Sequence, residues 1–251
     1  MSFNVKALCA FKKLGAAMLI IATLTMCFTA CKQTSGGGGG GKQGAPFVEG
    51  GASLILSPDK LTIAVKAVTV DGSDVQVEGC TETTLASDTK TTLHATGTTV
   101  ILKGKITELD CSINKLTALN VQGLTALQVL NCSYNQLTEL NVQGCTSLQV
   151  LLCWSNQLPE LNVQGLTSLK LIYCHNNKLN AQAMTALLNA LPAREAGDGT
   201  FAILYTGETG KVEGNHKDFT QPEDLKKAFD DAKKRNWELK KVNASGDLED
   251  L

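Results

Sequence analysis

The residues of this 251-residue chain best suited to chemistry are four cysteines at a regular spacing of 21 residues, Cys111, Cys132, Cys153 and Cys174. His175 directly follows the last of them. Cysteine thiolates ligate zinc, act as nucleophiles beside a histidine, and pair as disulfides. The sequence therefore raises three possibilities: a metal site, a cysteine–histidine catalytic pair, or a set of disulfides. The elements that carry the cysteines decide among them.

The sequence around each cysteine repeats with the same 21-residue step. Leucine or isoleucine stands two and five residues before each cysteine, and an asparagine and a leucine stand three and five residues after it. The tetrapeptide NVQG also recurs, at 120–123, 141–144 and 162–165. Four units with the pattern L-x-x-L-x-C-x-x-N-x-L form a tandem repeat, whose stacked neighbours bury one continuous apolar column. The recurring asparagines are Asn114, Asn135, Asn156 and Asn177.

Stacked repeats exclude most of the cysteine chemistry. Each short L-x-C stretch is expected to form a strand with leucine and cysteine pointing inward, and equivalent residues of neighbouring strands lie about 4.8 Å apart. Four sulfurs in such a row extend over roughly 14 Å, so they cannot converge on one ion with bonds of about 2.3 Å. Disulfides would require neighbouring side chains to turn toward each other against the stack. Cys174 and His175 point to opposite faces of a strand. We predict buried, reduced thiols that act as small apolar residues, and no metal or cofactor.

The repeat unit resembles the leucine-rich repeat, with cysteine in the third leucine position, over about residues 106–180. The resemblance implies an α+β fold built on a short solenoid with a parallel β-sheet, in which residues 105–180 form four units. A unit of 21 residues leaves no room for a full helix on the convex side, so we expect a narrow arc. A buried asparagine is costly unless it is hydrogen-bonded, so we also expect a ladder of amide hydrogen bonds to the turn backbone.

Segments of different composition flank the repeats and are expected to cap the open ends of the solenoid. Residues 47–104 are predicted to form a β-rich amino-terminal cap, with a hairpin turn at Asp71-Gly72. Residues 181–251 are predicted to form a helix and strand cap. Its first helix follows an N-cap Asn180, the stretch TFAILYT is a buried strand, and a second helix begins with a capping box from Thr220 to Glu223. Residues 246–251 are expected to fray.

Outward-facing residues of the four predicted strands include most of the tyrosines and tryptophans in the chain. Such amphipathic aromatic residues dominate protein recognition surfaces, and this group is more apolar than a solvated sheet face requires. We therefore predict a ligand-binding concave face, with the alternative that a flanking segment folds over it and uses it as core. The predicted binding residues are Asp110, Asn131, Ser133, Tyr134, Leu152, Trp154, Tyr173 and His175.

The amino terminus has the features of an export signal. Three lysines precede an apolar run over 14–26, which is short for a membrane span and typical of a signal-peptide core. The run ends in FTAC, which resembles a bacterial lipobox although Phe28 replaces the usual aliphatic residue. The resemblance implies that residues 1–30 are removed and that Cys31 is acylated; the alternative is a plain secretory signal. Residues 31–46, with six consecutive glycines, are predicted to be a flexible tether.

The combined features favour a binding protein. The net charge of −1 argues against bulk nucleic-acid binding. The three histidines have no metal spacing and there is no phosphate-binding glycine loop, so an enzyme is not expected. Resemblance to bacterial cell-surface leucine-rich-repeat lipoproteins implies a membrane-anchored protein, at the outer membrane or cell surface, that binds a protein of a host or neighbouring cell in adhesion. The alternative is a periplasmic structural or assembly factor.

Overall fold

The computed structural model describes residues 44–251, so the predicted signal peptide, Cys31 and most of the predicted tether lie outside the described residues. The described part is mostly β-structure, with fifteen strands in two mixed sheets and two helices. The strands are β1 (Gly51–Leu56), β2 (Thr62–Thr69), β3 (Val75–Glu78), β4 (Thr84–Leu85), β5 (Thr91–His94), β6 (Thr99–Lys103), β7 (Ile106–Asp110), β8 (Leu116–Asn120), β9 (Val129–Asn131), β10 (Glu139–Asn141), β11 (Val150–Leu152), β12 (Leu171–Tyr173), β13 (Phe201–Thr206), β14 (Glu238–Val242) and β15 (Leu248–Asp250). The helices are α1 (Ala181–Ala190) and α2 (Glu223–Lys234).

Nine strands form the larger sheet, here called the long sheet, in the order β15-β14-β13-β12-β11-β9-β7-β2-β5. Six neighbouring strands of this sheet are parallel: β7, β9, β11, β12, β13 and β14. The register pairs Leu109 with Leu130, Leu130 with Leu151, and Leu151 with Ile172, so neighbouring strands are one 21-residue step apart in sequence. The parallel stacking that the repeat predicts is therefore confirmed for these strands.

The inward side of the long sheet is the apolar core. The paired leucines and isoleucine are at most 1% exposed, and all four repeat cysteines are fully buried, as predicted. Cys145, which aligns with Leu124 and Leu166, is buried in the same core. The six cysteines of the described residues are free thiols. Small side chains at the cysteine positions let the strands stack closely without leaving a polar group that demands a strong partner.

Strands β8 and β10 follow the recurring asparagines Asn114 and Asn135 of the first two repeats. They belong to a second sheet, here called the short sheet, with the order β10-β8-β1-β6-β3-β4. The NVQG tetrapeptide begins at the last residue of each of these strands and forms the turn that follows. In the second unit, Asn141 Oδ1 accepts a hydrogen bond from Gln143 N at 3.1 Å, Val142 is buried, and Gly144 has φ +76°. Glycine is the residue that adopts this left-handed conformation at least cost, which explains its recurrence. Within residues 105–180 the structure describes strands and turns and no helix.

A ladder of buried asparagine side chains joins the repeats, as predicted. The Asn135 carboxamide accepts from the backbone N–H groups of Asn114 and Leu116, at 2.9 and 3.0 Å. It donates to the carbonyl oxygens of Cys111 and Cys132, both at 3.0 Å. Asn156 and Asn177 repeat the donor half of this arrangement, each bridging two successive cysteine carbonyls. Each amide thus satisfies turn backbone groups that burial would otherwise leave unpaired.

The predicted hairpin at Asp71-Gly72 is wrong. Both strands and the turn are present, but β2 belongs to the long sheet, where it pairs with β5 and β7, and β3 belongs to the short sheet. Alternating residues of both strands, such as Val65 on β2 and Val77 on β3, are buried in one core. The chain therefore crosses from one sheet to the other at this turn. Alternation predicts which side of a strand is buried and does not predict its partner.

The carboxy-terminal region continues the long sheet. Helix α1 begins after Asn180, whose side chain accepts from Ala183 N at 2.9 Å, as predicted. The last six residues of the stretch TFAILYT form β13. The predicted capping box is wrong, because α2 begins at Glu223 after an N-cap Pro222 and the Thr220 hydroxyl donates to Asp218 instead.

The predicted frayed tail is also wrong, because β15 pairs antiparallel with β14. Lys240 and Lys241 of β14 form ion pairs with Asp250 and Glu249 of β15. The tail is therefore held by backbone pairing and by oppositely charged side chains across the two strands.

Candidate binding face

The predicted binding residues lie along the outward side of the long sheet. Sheet register places Asp110, Asn131, Leu152 and Tyr173 in one row across β7, β9, β11 and β12. Two residues later on each chain segment, beyond a buried cysteine, come Ser133, Trp154 and His175. The backbone pairing continues past the strands, since Tyr134 N donates to the Trp154 carbonyl at 3.1 Å. We call this surface the candidate binding face.

Aromatic rings on this face are in contact across three repeats. The Trp154 ring centroid lies 4.2 Å from that of Tyr134, edge to face, and 5.0 Å from that of His175, nearly parallel at 15°. Tyr173 lies 6.2 Å from His175 and 5.8 Å from Phe201. Rings at these separations attract one another beyond the benefit of burial alone. The row is therefore pre-arranged, with the indole held between a phenol and an imidazole.

Exposure varies along the row. Tyr134 is 42% exposed, whereas Leu152, Trp154 and Tyr173 are partly buried and His175 is 8% exposed. The aromatic residues shield one another through the ring contacts and keep part of their surface exposed. Ser133, another predicted binding residue, is also buried, at 4% exposed. The exposure of Tyr134 shows that no segment within residues 44–251 encloses the whole face.

His175 is the electrostatically unusual residue of the face. Burial lowers the pKa of its imidazole to about 4, so the ring is neutral at pH 7. Its Nδ1 atom is buried and has no hydrogen-bond partner among the described residues. Burial also raises the pKa of the neighbouring Tyr173 hydroxyl. A buried ring nitrogen without a hydrogen bond raises the free energy of the folded state.

The first two repeats carry hydrogen-bonded polar pairs where the next two carry large apolar and aromatic residues. Asp110 Oδ1 accepts from the Ser112 hydroxyl at 2.7 Å and from Ser112 N at 3.0 Å. Asn131 Oδ1 accepts from the Ser133 hydroxyl at 2.7 Å in the same way. The corresponding residues of the third and fourth repeats are Leu152 with Trp154 and Tyr173 with His175. The face is therefore divided into a polar half and an aromatic half.

Sequence reasoning missed several residues of this face. Phe201 and Ile203 of β13 continue the outward rows, because the register places them opposite Leu171 and Tyr173. The β12-to-β13 step is 30 residues rather than 21, so the repeat alignment does not include them. Sequence reasoning also missed a left-handed backbone position in each repeat, with φ between 52° and 62°. These positions are Ile113, Tyr134, Ser155 and Asn176.

The buried cysteine thiols are expected to be unreactive. Burial raises the pKa of the thiols of Cys111, Cys132, Cys153 and Cys174 well above the ordinary range. A thiol that stays protonated is a poor nucleophile and a poor metal ligand. Across residues 44–251, no group of three histidine, cysteine or acidic side chains is placed to hold a metal ion.

A groove of about 440 Å³ lies at the short sheet, away from the aromatic row. Its lining includes Thr117 and Ala118 of β8, Glu139 of β10 and Gly44 at the beginning of the described chain. The side chains that line it are apolar, hydroxyl and amide groups, with one carboxylate. It holds none of the predicted binding residues.

Comparison with protein-family models, with curated proteins and with solved structures finds no match to this chain. In the part of the chain that the structure describes, neither helix is long and apolar enough to cross a membrane. The geometry of the candidate binding face, together with the sequence features of the amino terminus, is therefore the basis for a functional proposal.

Proposed function

We propose that this chain is an exported lipoprotein, anchored through acylated Cys31, that presents a leucine-rich-repeat sheet for binding a protein. The 21-residue unit and the parallel register of its strands support the solenoid assignment. The apolar run ending in FTAC supports the anchor. A lipid anchor, a glycine-rich tether and a rigid repeat body together suit a protein that reaches a partner from the outer membrane or cell surface, in adhesion to a host or neighbouring cell.

The partly exposed aromatic row is the observation that carries the binding proposal. Tyr134, Trp154 and Tyr173 lie on an outward sheet face and keep part of their surface exposed. Aromatic residues with a polar group and a fixed position are the ones that contribute most to protein–protein affinity. The hydrogen-bonded pairs Asp110–Ser112 and Asn131–Ser133 give this cluster a polar border on one side.

The test of display combines fractionation with protease treatment of intact cells. Cys31→Ala is expected to move the protein from the detergent phase to the soluble fraction, because stable anchoring requires acyl chains that each bury many CH₂ groups at about 0.8 kcal/mol apiece. The wild-type protein is expected to be cleaved on intact cells. Unchanged partitioning of the variant would contradict the anchor. Membrane association combined with full protection from protease would indicate a periplasmic structural or assembly factor instead.

The test of the binding face uses truncations that separate recognition from folding. Trp154→Ala and Tyr173→Ala are each expected to reduce the free energy of partner binding by about 2 kcal/mol or more. The measurement is the adherence of expressing cells to a partner surface. Each is expected to lower the melting temperature much less than Leu151→Ala, which removes a fully buried side chain at a cost of about 2–5 kcal/mol. A melting temperature for Trp154→Ala as low as that for Leu151→Ala would show that the face is core and not a binding surface.

A further inference from the structure

The first end of the candidate binding face has more carboxylates than ammonium groups. Lys66 of β2 lies opposite Asp110 in the sheet register, and Glu108 is on the same side of β7, opposite Val68. Lys66 Nζ pairs with Asp88 Oδ1 at 2.6 Å. The pKa of Lys66 is raised chiefly by its hydrogen bond to Asp88, and also by the charges of Asp88, Glu108 and Asp110. One ammonium group is therefore surrounded by three carboxylates.

The opposite end of the face has the same imbalance. Lys240 of β14 forms ion pairs with Asp250 at 2.6 Å and with Glu238 at 2.9 Å. It also lies 6.0 Å from the centroid of the Phe201 ring, within reach of a cation–π contact. This lysine is thus already occupied by two carboxylates and an aromatic ring of its own chain. It is poorly placed to attract an anion.

The centre of the face, between these ends, carries no charged side chain at the outward strand positions. Three of its outward residues, Val150, Leu171 and Ile203, are buried. The accessible part of the centre is therefore formed by the half-buried residues Leu152, Trp154, Tyr173 and Phe201. His175 adds no positive charge, because its imidazole is neutral at pH 7. The outward residues of the central strands are Val129, Asn131, Val150, Leu152, Leu171, Tyr173, Phe201 and Ile203.

We propose that the partner of this face is a cationic protein segment, in which apolar or aromatic side chains flanked by lysine or arginine contact the centre and its acidic ends. The inference rests on the proposed binding function and specifies the chemistry of the partner. Of the charged groups named at the two ends, two are lysines and five are carboxylates, so an acidic segment is repelled and a basic one is attracted and oriented. Arginine fits best, because its guanidinium both pairs with a carboxylate and stacks on an aromatic ring.

Glu108 is the group through which this selectivity can be changed without disturbing the fold. Its residue is exposed and lies on the outward side of β7. Asp110, in contrast, holds the Ser112 turn through two hydrogen bonds, so its replacement would alter the backbone as well as the charge. Glu160 is the matched control, because it is also an exposed glutamate and stands 21 residues after Glu139 of the short sheet.

The test selects peptides from a random 12-residue display library on the immobilised full chain. The pool recovered on the wild-type protein is expected to be enriched in lysine and arginine over aspartate and glutamate, next to apolar residues. Glu108→Lys is expected to weaken binding of the selected peptides about fivefold or more, with a loss that shrinks at high salt, whereas Glu160→Lys changes it less than twofold.

The outcomes separate this inference from the function on which it rests. A selected pool that needs Trp154 but is neutral or acidic would overturn the inference and leave the binding function standing. Equal effects of Glu108→Lys and Glu160→Lys would do the same. Recovery of no more peptides on the wild-type chain than on a Trp154→Ala chain would overturn both, because the face would then have no binding centre.

Discussion

The imidazole of His175 stacks on the indole of Trp154, with 5.0 Å between ring centroids and 15° between ring planes. The two residues are 21 positions apart, and each directly follows a buried repeat cysteine. Their contact is therefore a consequence of the repeat register rather than of a particular loop conformation. The same register that aligns the core leucines also brings side chains of successive repeats together on the outward side.

Protonation of His175 is expected to destabilise the fold in a defined pH window. The folded-state pKa is about 4, below the unfolded value of 6.5, because burial penalises the charged ring. Between these values the unfolded chain binds a proton that the folded chain does not, so stability falls as pH decreases from about 6.5 to about 4. From pH 7 to 4.5 the loss amounts to roughly 2–3 kcal/mol.

Urea unfolding of the wild type and of His175→Phe at both pH values measures this contribution. Phenylalanine retains a flat ring against Trp154 and does not titrate. Acidification from pH 7 to 4.5 is therefore expected to lower the unfolding free energy of the variant by roughly 2–3 kcal/mol less than that of the wild type. All other titrating groups are shared by the two proteins, so their contributions cancel in the comparison. Parallel pH profiles for the two proteins would show that His175 is not the responsible group.

The repeats could be predicted from the sequence because their information is local and periodic. Inward Leu130 and Cys132, the bonded amide of Asn135 and the cap at Asn180 each follow from a residue type at a fixed spacing. Sheet membership of β2 and β3 could not be predicted, since alternation is the same for either partner. Nor could β15, because its short polar sequence Leu248–Asp250 has no apolar pattern.

The outward position of the face was predictable, but its internal bonding was not. Strand alternation predicts that Asp110, Asn131 and Ser133 point away from the core. It does not predict that Ser112 and Ser133 donate to the Asx side chains two residues before them, which leaves these groups less free for a partner than the sequence suggested. That preference depends on turn geometry after the strand.

The cysteine ladder is expected to tolerate serine unequally. Cys132→Ser places a hydroxyl in a fully buried position and is expected to cost about 1–3 kcal/mol of unfolding free energy. Cys153 Sγ lies 3.4 Å from the Tyr173 carbonyl oxygen, so a hydroxyl there has an acceptor and Cys153→Ser is expected to cost less. Urea unfolding measures both, with Cys132→Ala and Cys153→Ala as controls for lost volume. A larger penalty for serine at 153 than at 132 would contradict this reasoning.

Ile113 is expected to be a site where substitution stabilises the protein. It is a β-branched residue with φ 62°, and its side chain is 65% exposed. The left-handed backbone therefore destabilises the fold at this position, and burial of the side chain does not offset that cost. Ile113→Asn is expected to raise the free energy of unfolding by about 1 kcal/mol, because asparagine adopts this conformation more readily. Val212 is also exposed and β-branched but is not among the left-handed positions, so Val212→Asn is the control. Equal changes at the two sites would exclude backbone strain as the cause.

Asn215 is expected to be as important to the ladder as the asparagines of the repeats, although it lies in the carboxy-terminal region. Its Oδ1 accepts from Leu179 N at 2.9 Å, and its Nδ2 donates to the carbonyl oxygens of Leu204 at 2.8 Å and Cys174 at 2.9 Å. The Cys174 carbonyl also accepts from Asn177 and would remain bonded without Asn215. Asn215→Ala therefore removes the side-chain bonds to two buried groups, the Leu179 N–H and the Leu204 carbonyl.

The expected cost of Asn215→Ala is about 2–4 kcal/mol of unfolding free energy, since each unpaired buried backbone group costs about 1–3 kcal/mol. Asn162→Ala is the matched control, because Asn162 is exposed and its side chain accepts one bond, from Gln164 N at 3.0 Å. It is expected to cost about 1 kcal/mol or less. Urea unfolding gives both values, and hydrogen exchange at the Leu179 amide should accelerate in Asn215→Ala alone. If the two alanine variants are equally stable, the ladder ends at Asn177 and Asn215 merely lies beside it.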